Sequence, residues 1–416
     1  MLNRIIRQWA YIPHNSKYCL ISDPLFYFIT HTLILFLPLY MKKVGVTDFE
    51  IGFITSITVL FEFVFHLFAV PFVNKYGRRR SYFISEIIAW VIPIFLWSIA
   101  YDVTFFVVAA IFQGATRIGY VAWFCIISED EDERQITLVY ALTYIIIYSC
   151  NIIMPLIGSL VEDYGLVKVF RVLYSAGSII LLLVILWRNN KLKETPTGYI
   201  KMRESSDFSL VHSLLVFFNV LYSYRHQYLY VKIISIYAIT NFIVALNIYQ
   251  VLYLNDHIGY TENEASVAFG IASLTNVILY VGMYKPFALI KDTKMLFISV
   301  TICLIGSLLF LFIKKEHYFD FYATITIITF GGFLLDTYRD AALNSIASNS
   351  DKGNLYSVCH TFSLLFSIPA GVMAGYIFEI NRTAPFIVII VLFVVTLLIC
   401  YSIMTNQVRV GAVLNQ

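Results

Sequence analysis

The chain has 416 residues, 59% of them hydrophobic and 13% charged, with a formal net charge of +3 and a mean hydropathy of +0.77. A soluble domain carries about 25% charged residues, so a water-soluble fold of this length is excluded, as is a disordered chain. No Lys/Arg-rich face stands out, which excludes a nucleic-acid binder.

Read from the N-terminus, Arg4, Arg7 and Lys17 precede a first apolar run at 20–41. No small-residue cleavage site follows it, so it is expected to be a retained span. A bilayer crossing needs about 20 apolar residues, and eleven further runs meet that length. They lie near 49–72, 80–100, 103–128, 135–160 and 167–187, then at 231–254, 265–284, 295–313, 320–347, 355–378 and 384–405. Their continuity predicts helices, since barrel strands would alternate over short segments. The expectation is an all-α membrane protein with twelve transmembrane helices in two six-helix pseudo-repeats. A bundle at 1–188 and another at 231–416 flank a central linker at 189–230. Residues 208–222 are apolar but short for a crossing, and are read as an interfacial or buried helix. The six cysteines form no C-x-x-C and are read as small apolar residues.

Ionisable residues inside these runs are costly and are retained for pairing or for transport. Span 1 contains Asp23, read as helix-start chemistry before Pro24, and His31 near its middle. Span 2 carries Glu62 and His66 one turn apart, a spacing suited to a proton relay or to a satisfied buried histidine. Glu86, early in span 3, is expected to pair locally with Arg78 to Arg80. Arg117 lies mid-span 4. An acidic run, Glu129 to Glu133, follows that span. Span 5 contains Pro155 and Gly158, which predict a kink and a close helix approach. Span 10 carries Asp336, Arg339 and Asp340, whose spacing puts all three on one helix face. Substrate or proton binding and a static ion-pair network remain alternative roles for these groups.

The two halves resemble each other. Gly45-Val46-Thr47-Asp48-Phe49-Glu50 before span 2 and Gly259-Tyr260-Thr261-Glu262-Asn263-Glu264 before span 8 both read G-x-T-x-x-E, a capping-box pattern. Gly158-x-x-x-Glu162 and Gly375-x-x-x-Glu379 end spans 5 and 11 in the same way. Duplicated six-span halves suit a transporter that rocks one half against the other. With the N-terminus inside, twenty basic residues fall in inside segments and seven in outside connections, so both termini are expected to be cytoplasmic.

The loop between spans 2 and 3 reads Val70-Pro71-Phe72-Val73-Asn74-Lys75-Tyr76-Gly77-Arg78-Arg79-Arg80. It resembles the signature G-x-x-x-D-R/K-x-G-R/K-R/K of the major facilitator superfamily. Lys75, Gly77, Arg78 and Arg79 match, while Val70 and Asn74 replace the first Gly and the Asp. The resemblance extends over the chain and implies the major facilitator fold, with this loop as a gating element. Loss of charge at Asn74 implies a weaker ionic latch. Cys150 to Ser159 keeps only Pro155 and Gly158 of the family's antiporter pattern G-x-x-x-G-P-x-x-G-G. Gln113-Gly114-Ala115 is similar to the tail of the drug–proton pattern R-x-x-Q-G-x-G/A-A, whose Arg is absent at Ala110. The resemblance further implies that spans 1, 4, 7 and 10 line a central cavity, with Arg117 and the span-10 charges across from each other.

The expected function is secondary active transport of a small organic solute by alternating access, as proton-coupled efflux, with proton-coupled uptake as the alternative. A non-transporting membrane enzyme or receptor is the reading from a different class; no H-E-x-x-H and no large soluble module is present. The absence of G-x-x-x-x-G-K-S/T argues against ATP as the direct energy source. No cofactor and no metal are expected, the partners are solute, protons and the bilayer, and the protein is expected to be a monomer in the plasma membrane.

Overall fold

The computed structural model describes residues 12–129, 133–204, 210–287, 290–347 and 352–414. Arg4, Arg7 and Asp130 to Asp132 lie outside them. Eleven helices among the described residues are long and apolar enough to cross a membrane. They are α1 (His14–Lys43), α2 (Asp48–Tyr76), α3 (Arg78–Ser98), α4 (Val103–Ser128), α5 (Leu138–Tyr164) and α6 (Leu166–Lys191). Short helices α7 (Pro196–Glu204) and α8 (Leu210–Ser223) follow. Then come α9 (Tyr228–Ile258), α10 (Glu262–Phe287, 26 residues), α11 (Asp292–Phe310), α12 (Tyr318–Ile346), α13 (Asn354–Ile380) and α14 (Ala384–Thr405). With α10 in the eighth place the chain is a twelve-helix, multi-pass membrane protein.

Both G-x-T-x-x-E motifs fold as reciprocal capping boxes. Before α2 the Thr47 N–H donates to Glu50 Oε2 at 2.8 Å and the Glu50 N–H donates to Thr47 Oγ1 at 3.2 Å. Before α10 the Thr261 N–H donates to Glu264 Oε2 at 2.8 Å and the Glu264 N–H to Thr261 Oγ1 at 3.2 Å. Two orphan donors are satisfied at each helix start. The glycines that open the motifs take φ of +104° at Gly45 and +88° at Gly259, a region open to glycine at little cost.

The contacts group the chain into two compact units. The first comprises Met1–Val46, Ile57–Asn151 and Asp163–Leu214; the second comprises Thr47–Ser56, Ile152–Glu162 and Leu215–Gln416. In the first unit, Cys19 and Leu20 of α1 pack with Ala69 and Val73 of α2, Tyr82 of α3 and Ile118, Ala122 and Ile126 of α4. At the other end of this unit the Tyr40 hydroxyl donates to the Trp97 carbonyl at 2.8 Å and the Tyr174 hydroxyl to the Leu33 carbonyl at 3.1 Å. Aromatic hydroxyls thus satisfy backbone groups where lipid offers no hydrogen bond.

In the second unit, Tyr260 stacks on Phe321 at 4.1 Å and Tyr253 packs on Phe386 at 4.7 Å. The first turns of α2 and the last turns of α5 belong to this unit, and the repeat explains why. The Phe49 N–H donates to Glu379 Oε1 at 3.0 Å, and Asn263 Nδ2 donates to Glu162 Oε2 at 2.6 Å. Each G-x-x-x-E carboxylate therefore sits at the start of a helix that opens with a capping box, where negative charge is favoured. The glycines of the same motifs allow the approach. A Cβ on Gly375 would lie 3.0 Å from the Phe49 carbonyl, and one on Gly158 would lie 2.7 Å from Ser266 Cβ. Arg382 also pairs with Asp48. α5 passes through a 3-10 turn at Asn151–Ile153 just before Pro155, where the proline ring cannot supply an N–H to the helix ladder.

Candidate functional site

Arg117 is brought to Glu62. The guanidinium donates to Glu62 Oε2 from Nε at 3.0 Å and from Nη2 at 2.5 Å. Both side chains stay partly accessible, at 25% and 20%. The chain arranges this pair through a glycine: α4 breaks at Gly114–Ala115 between Val103–Gln113 and Thr116–Ser128. A Cβ on Gly114 would lie 2.6 Å from the Phe61 carbonyl carbon, so α2 and α4 cross closely beside Glu62 and Arg117. That is the physical use of the Gln113-Gly114-Ala115 stretch. His66, one turn from Glu62, is not in this pair; its Nδ1 is buried with no hydrogen-bond partner among the described residues.

Beside the pair lies a cavity of about 290 Å³, walled by seventeen residues of α1, α3, α4 and α5. Eight of them are aromatic: Phe26, Tyr27, Tyr82, Trp90, Tyr120, Trp123, Tyr140 and Tyr144. Polar groups on the wall are His31, Ser85, Glu86, Thr116, Arg117 and Thr143. Two helices widen where they form this wall. α1 has a π-turn at Phe28–Thr32, which carries His31, and α3 has one at Ile87–Val91, which carries Ala89 and Trp90. Such bulges re-aim side chains and recur at functional sites. The cavity lies within the first unit, and a wall of rings with a few polar groups is the usual make-up of a small-molecule site.

Behind the wall the charges differ from the sequence expectation. Glu86 does not pair with Arg78 to Arg80. It accepts from Arg188 of α6, a residue that lies just past the apolar run at 167–187 and that is fully buried. Arg188 also donates to Ser22 Oγ at 3.3 Å and lies over the Tyr82 ring at 4.4 Å. Asp23 is not a helix start either: it lies inside the His14–Tyr27 segment of α1, 1% exposed, with the Thr143 hydroxyl 3.5 Å from its Oδ2. A tertiary partner from a distant span leaves no local spacing in the sequence, so neither role was visible there.

In the second unit, Arg339 lies 3.3 Å from Asp336 and 3.8 Å from Asp340. Its Nη1 donates to Thr240 Oγ1 at 3.1 Å, and its guanidinium lies 4.6 Å from the Tyr237 ring centre. The Tyr237 hydroxyl donates to Asp340. The Asp336 side chain is more than half accessible. Arg117 and Asp336 each have an ion-pair partner in their own unit. Nearby polar groups pair locally, Asn276 Nδ2 donating to Thr329 Oγ1 at 2.8 Å.

The loop between α2 and α3 is a charged cluster within the first unit. Gly77 has φ of +85°. The Glu194 carboxylate accepts from the N–H groups of Arg78 at 2.9 Å and Arg79 at 3.1 Å, capping α3 from across the fold. Arg78 binds Glu129 through Nε at 3.1 Å and Nη2 at 2.8 Å, a two-pronged charge-assisted contact. Glu129 accepts from Thr195 as well, and Arg79 Nε donates to the Asn189 carbonyl at 2.9 Å. Asn74 is half-buried and Lys75 exposed.

Against known proteins, the family profile of the Major Facilitator Superfamily matches residues 24–358. A sequence comparison with the curated proteins finds no match. Among solved structures, the nucleoside transporter NupG superposes with a TM-score of 0.73 at 12% identity, covering 93% of this chain and 99% of that one. A D-xylose–proton symporter gives 0.69 at 13% identity over 93% and 96%. A POT family transporter in complex with 5-aminolevulinic acid gives 0.69 at 13% identity over 95% and 96%. At that identity the likeness establishes the fold. With the profile match spanning most of the chain, and with twelve helices of which α2 and α10 open on matching capping boxes, the protein belongs to the Major Facilitator Superfamily and is a secondary transporter.

Proposed function

We propose that the chain carries a small organic solute with a flat or apolar body, coupled to proton movement, and that it runs as an exporter in the plasma membrane with both termini cytoplasmic. The observation that carries this reading is the aromatic-walled cavity of the first unit with the Arg117–Glu62 pair on its flank. Rings supply stacking area, and a partly accessible guanidinium can exchange Glu62 for an anionic or acceptor group of the solute. His31 and His66 flank this region and are proposed to assist proton movement. Asp336, with Arg339 and Asp340, is proposed as a proton-binding group, because its accessible carboxylate shares a neighbouring guanidinium with a second carboxylate. Two six-helix repeats, 1–188 and 231–416, joined by 189–230, are proposed to exchange access around these sites. Export is supported by Pro155 and Gly158, the retained part of the antiporter pattern, and the loop around Gly77 is proposed as the gating element.

The test uses the purified protein in proteoliposomes with a set of labelled probes: nucleosides, D-xylose, 5-aminolevulinic acid and small aromatic acids and amines. Proton-gradient-driven flux of at least one probe, lost when the gradient is collapsed, supports the reading. Flux of every probe that ignores the gradient overturns proton coupling. Probe movement in the same direction as the protons replaces export with uptake.

A further inference from the structure

The break in α4 starts a second helical segment midway along the span. Thr116–Ser128 begins at the cavity, with Thr116 and Arg117 on the wall. The first turn of a helix carries the positive end of its dipole, and a half-helix start at this depth favours an anionic group. Three side-chain donors on this segment lack an acceptor among the described residues. Arg117 spends Nε and Nη2 on one oxygen of Glu62, which leaves Nη1 open, and its side chain is 25% accessible. Thr116 Oγ1 and Trp123 Nε1 are buried without a partner, and Trp123 as a whole is 8% exposed. Tyr140 packs edge-on against the Trp123 ring at 5.4 Å, which holds the ring in place. Buried donors without acceptors are costly and rare. Open donors gathered on one wall of a solute cavity mark the places where a solute supplies the acceptors. The carboxylate on the wall, Glu86, is neutralised by Arg188 and is 4% accessible, so Arg117 is the charge that a solute meets.

We propose that the cavity takes a flat organic acid with two acceptor groups: a carboxylate held at Thr116 and Arg117, and a carbonyl or ring-nitrogen acceptor held at Trp123 Nε1. The assignment rests on the transporter reading above and names its solute class. Spacing sets the solute's length. Thr116, Tyr120 and Trp123 stand at i, i+4 and i+7 on the cavity face of α4, and seven residues of helix rise about 10 Å. Two fused rings with a substituent at each end can bridge that span. The ring body then lies against Tyr120 and the aromatic wall. Charge-assisted bonds hold the acid end. The indole N–H selects the far end, because it can donate and cannot accept. The open Nη1 lets the carboxylate dock before Glu62 has to move. A solute without an acid end, or with an apolar far end, leaves one of these donors unpaired.

Equilibrium binding to the purified full-length protein is measured with three probes of one shape. The probe 6-acetyl-2-naphthoate carries both acceptors, 6-isopropenyl-2-naphthoate replaces the far carbonyl oxygen with carbon, and 6-acetyl-2-naphthamide removes the acid charge. The wild type is expected to bind the first about 10-fold more tightly than either of the others. Trp123→Phe keeps a ring and removes the N–H, so the preference for acetyl over isopropenyl should vanish while the preference for acid over amide remains. Thr116→Val should shrink the acid preference and leave the acetyl preference. Ratios taken within one variant cancel a general loss of packing. An acetyl preference that survives in Trp123→Phe overturns the assignment. Equal binding of any two of the probes that differ in one acceptor by the wild type, or no binding of 6-acetyl-2-naphthoate at all, overturns it without any variant. Flux in proteoliposomes is read separately. Naphthoate binding together with flux that ignores the proton gradient removes proton coupling and leaves the acid site standing, whereas gradient-driven flux of other solutes without naphthoate binding removes the acid site alone.

Discussion

Replacing Gly77 with valine forces a β-branched residue to a φ of +85°, which costs about 1–3 kcal/mol for a non-glycine residue. The new Cβ would also stand 2.6 Å from Glu194 Oε2, so Glu194 must withdraw. Its withdrawal strips the Arg78 and Arg79 N–H groups of their acceptor, and two lost charge-assisted hydrogen bonds add about 3–6 kcal/mol. The sum, about 4–9 kcal/mol, falls on a cluster that also holds Arg78 to Glu129 and Glu129 to Thr195. Gly77→Val is therefore expected to insert in the membrane but to lose most transport. It should also unfold several degrees below wild type in a thermal scan of detergent-solubilised protein. Gly77→Ala should show a smaller loss of the same kind, and Glu194→Gln, which keeps the glycine but weakens the cap, a partial loss. Wild-type transport together with a wild-type unfolding temperature in Gly77→Val refutes both the strain argument and the gating role of this loop.

Arg117→Ala removes the partner of Glu62 and should weaken solute binding about 10- to 100-fold, the equivalent of about 1–3 kcal/mol, most for anionic probes; recovery of near-wild-type transport in Arg117→Ala with Glu62→Ala would reduce the pair to a structural contact. Asp336→Asn should abolish proton-driven flux while solute exchange across the vesicle membrane continues, and unchanged driven flux would remove Asp336 from the proton path. Glu379→Gln weakens the acceptor for the Phe49 N–H by about 1 kcal/mol, a shift of about five-fold in a two-state balance; Glu162→Gln, its repeat counterpart at Asn263, should match it, and conformer populations read by spin-label distances that do not change in either variant would deny these contacts a role in the cycle. Tags at residues 2, 198 and 416 should be accessible from the cytoplasm and tags at 256–262 and near 382 from outside, and the reverse at 198 and 260 would overturn the proposed orientation.

Helix number, helix class and the duplication were legible in the sequence because they are local. Apolar run length sets a crossing, and a capping box satisfies its donors within four residues, so Thr47–Glu50 and Thr261–Glu264 could be read as helix starts before any packing was known. Gly77 was legible for the same reason, since a positive φ is a property of one residue. The partners of the charges were not. Asp23 beside Pro24 suggested a helix start, Glu86 beside three arginines suggested a local bridge, and Arg188 fell just past the apolar run of its span. Their relations are set by α1, α3, α5 and α6 crossing one another, across separations of 102 residues for Glu86–Arg188 and 120 for Asp23–Thr143. Likewise the sequence placed Arg117 at mid-span, while the close crossing of α2 and α4 at Gly114 chose Glu62 as its partner. In an apolar medium a buried charge takes whichever partner the packing delivers, and that choice belongs to the tertiary structure.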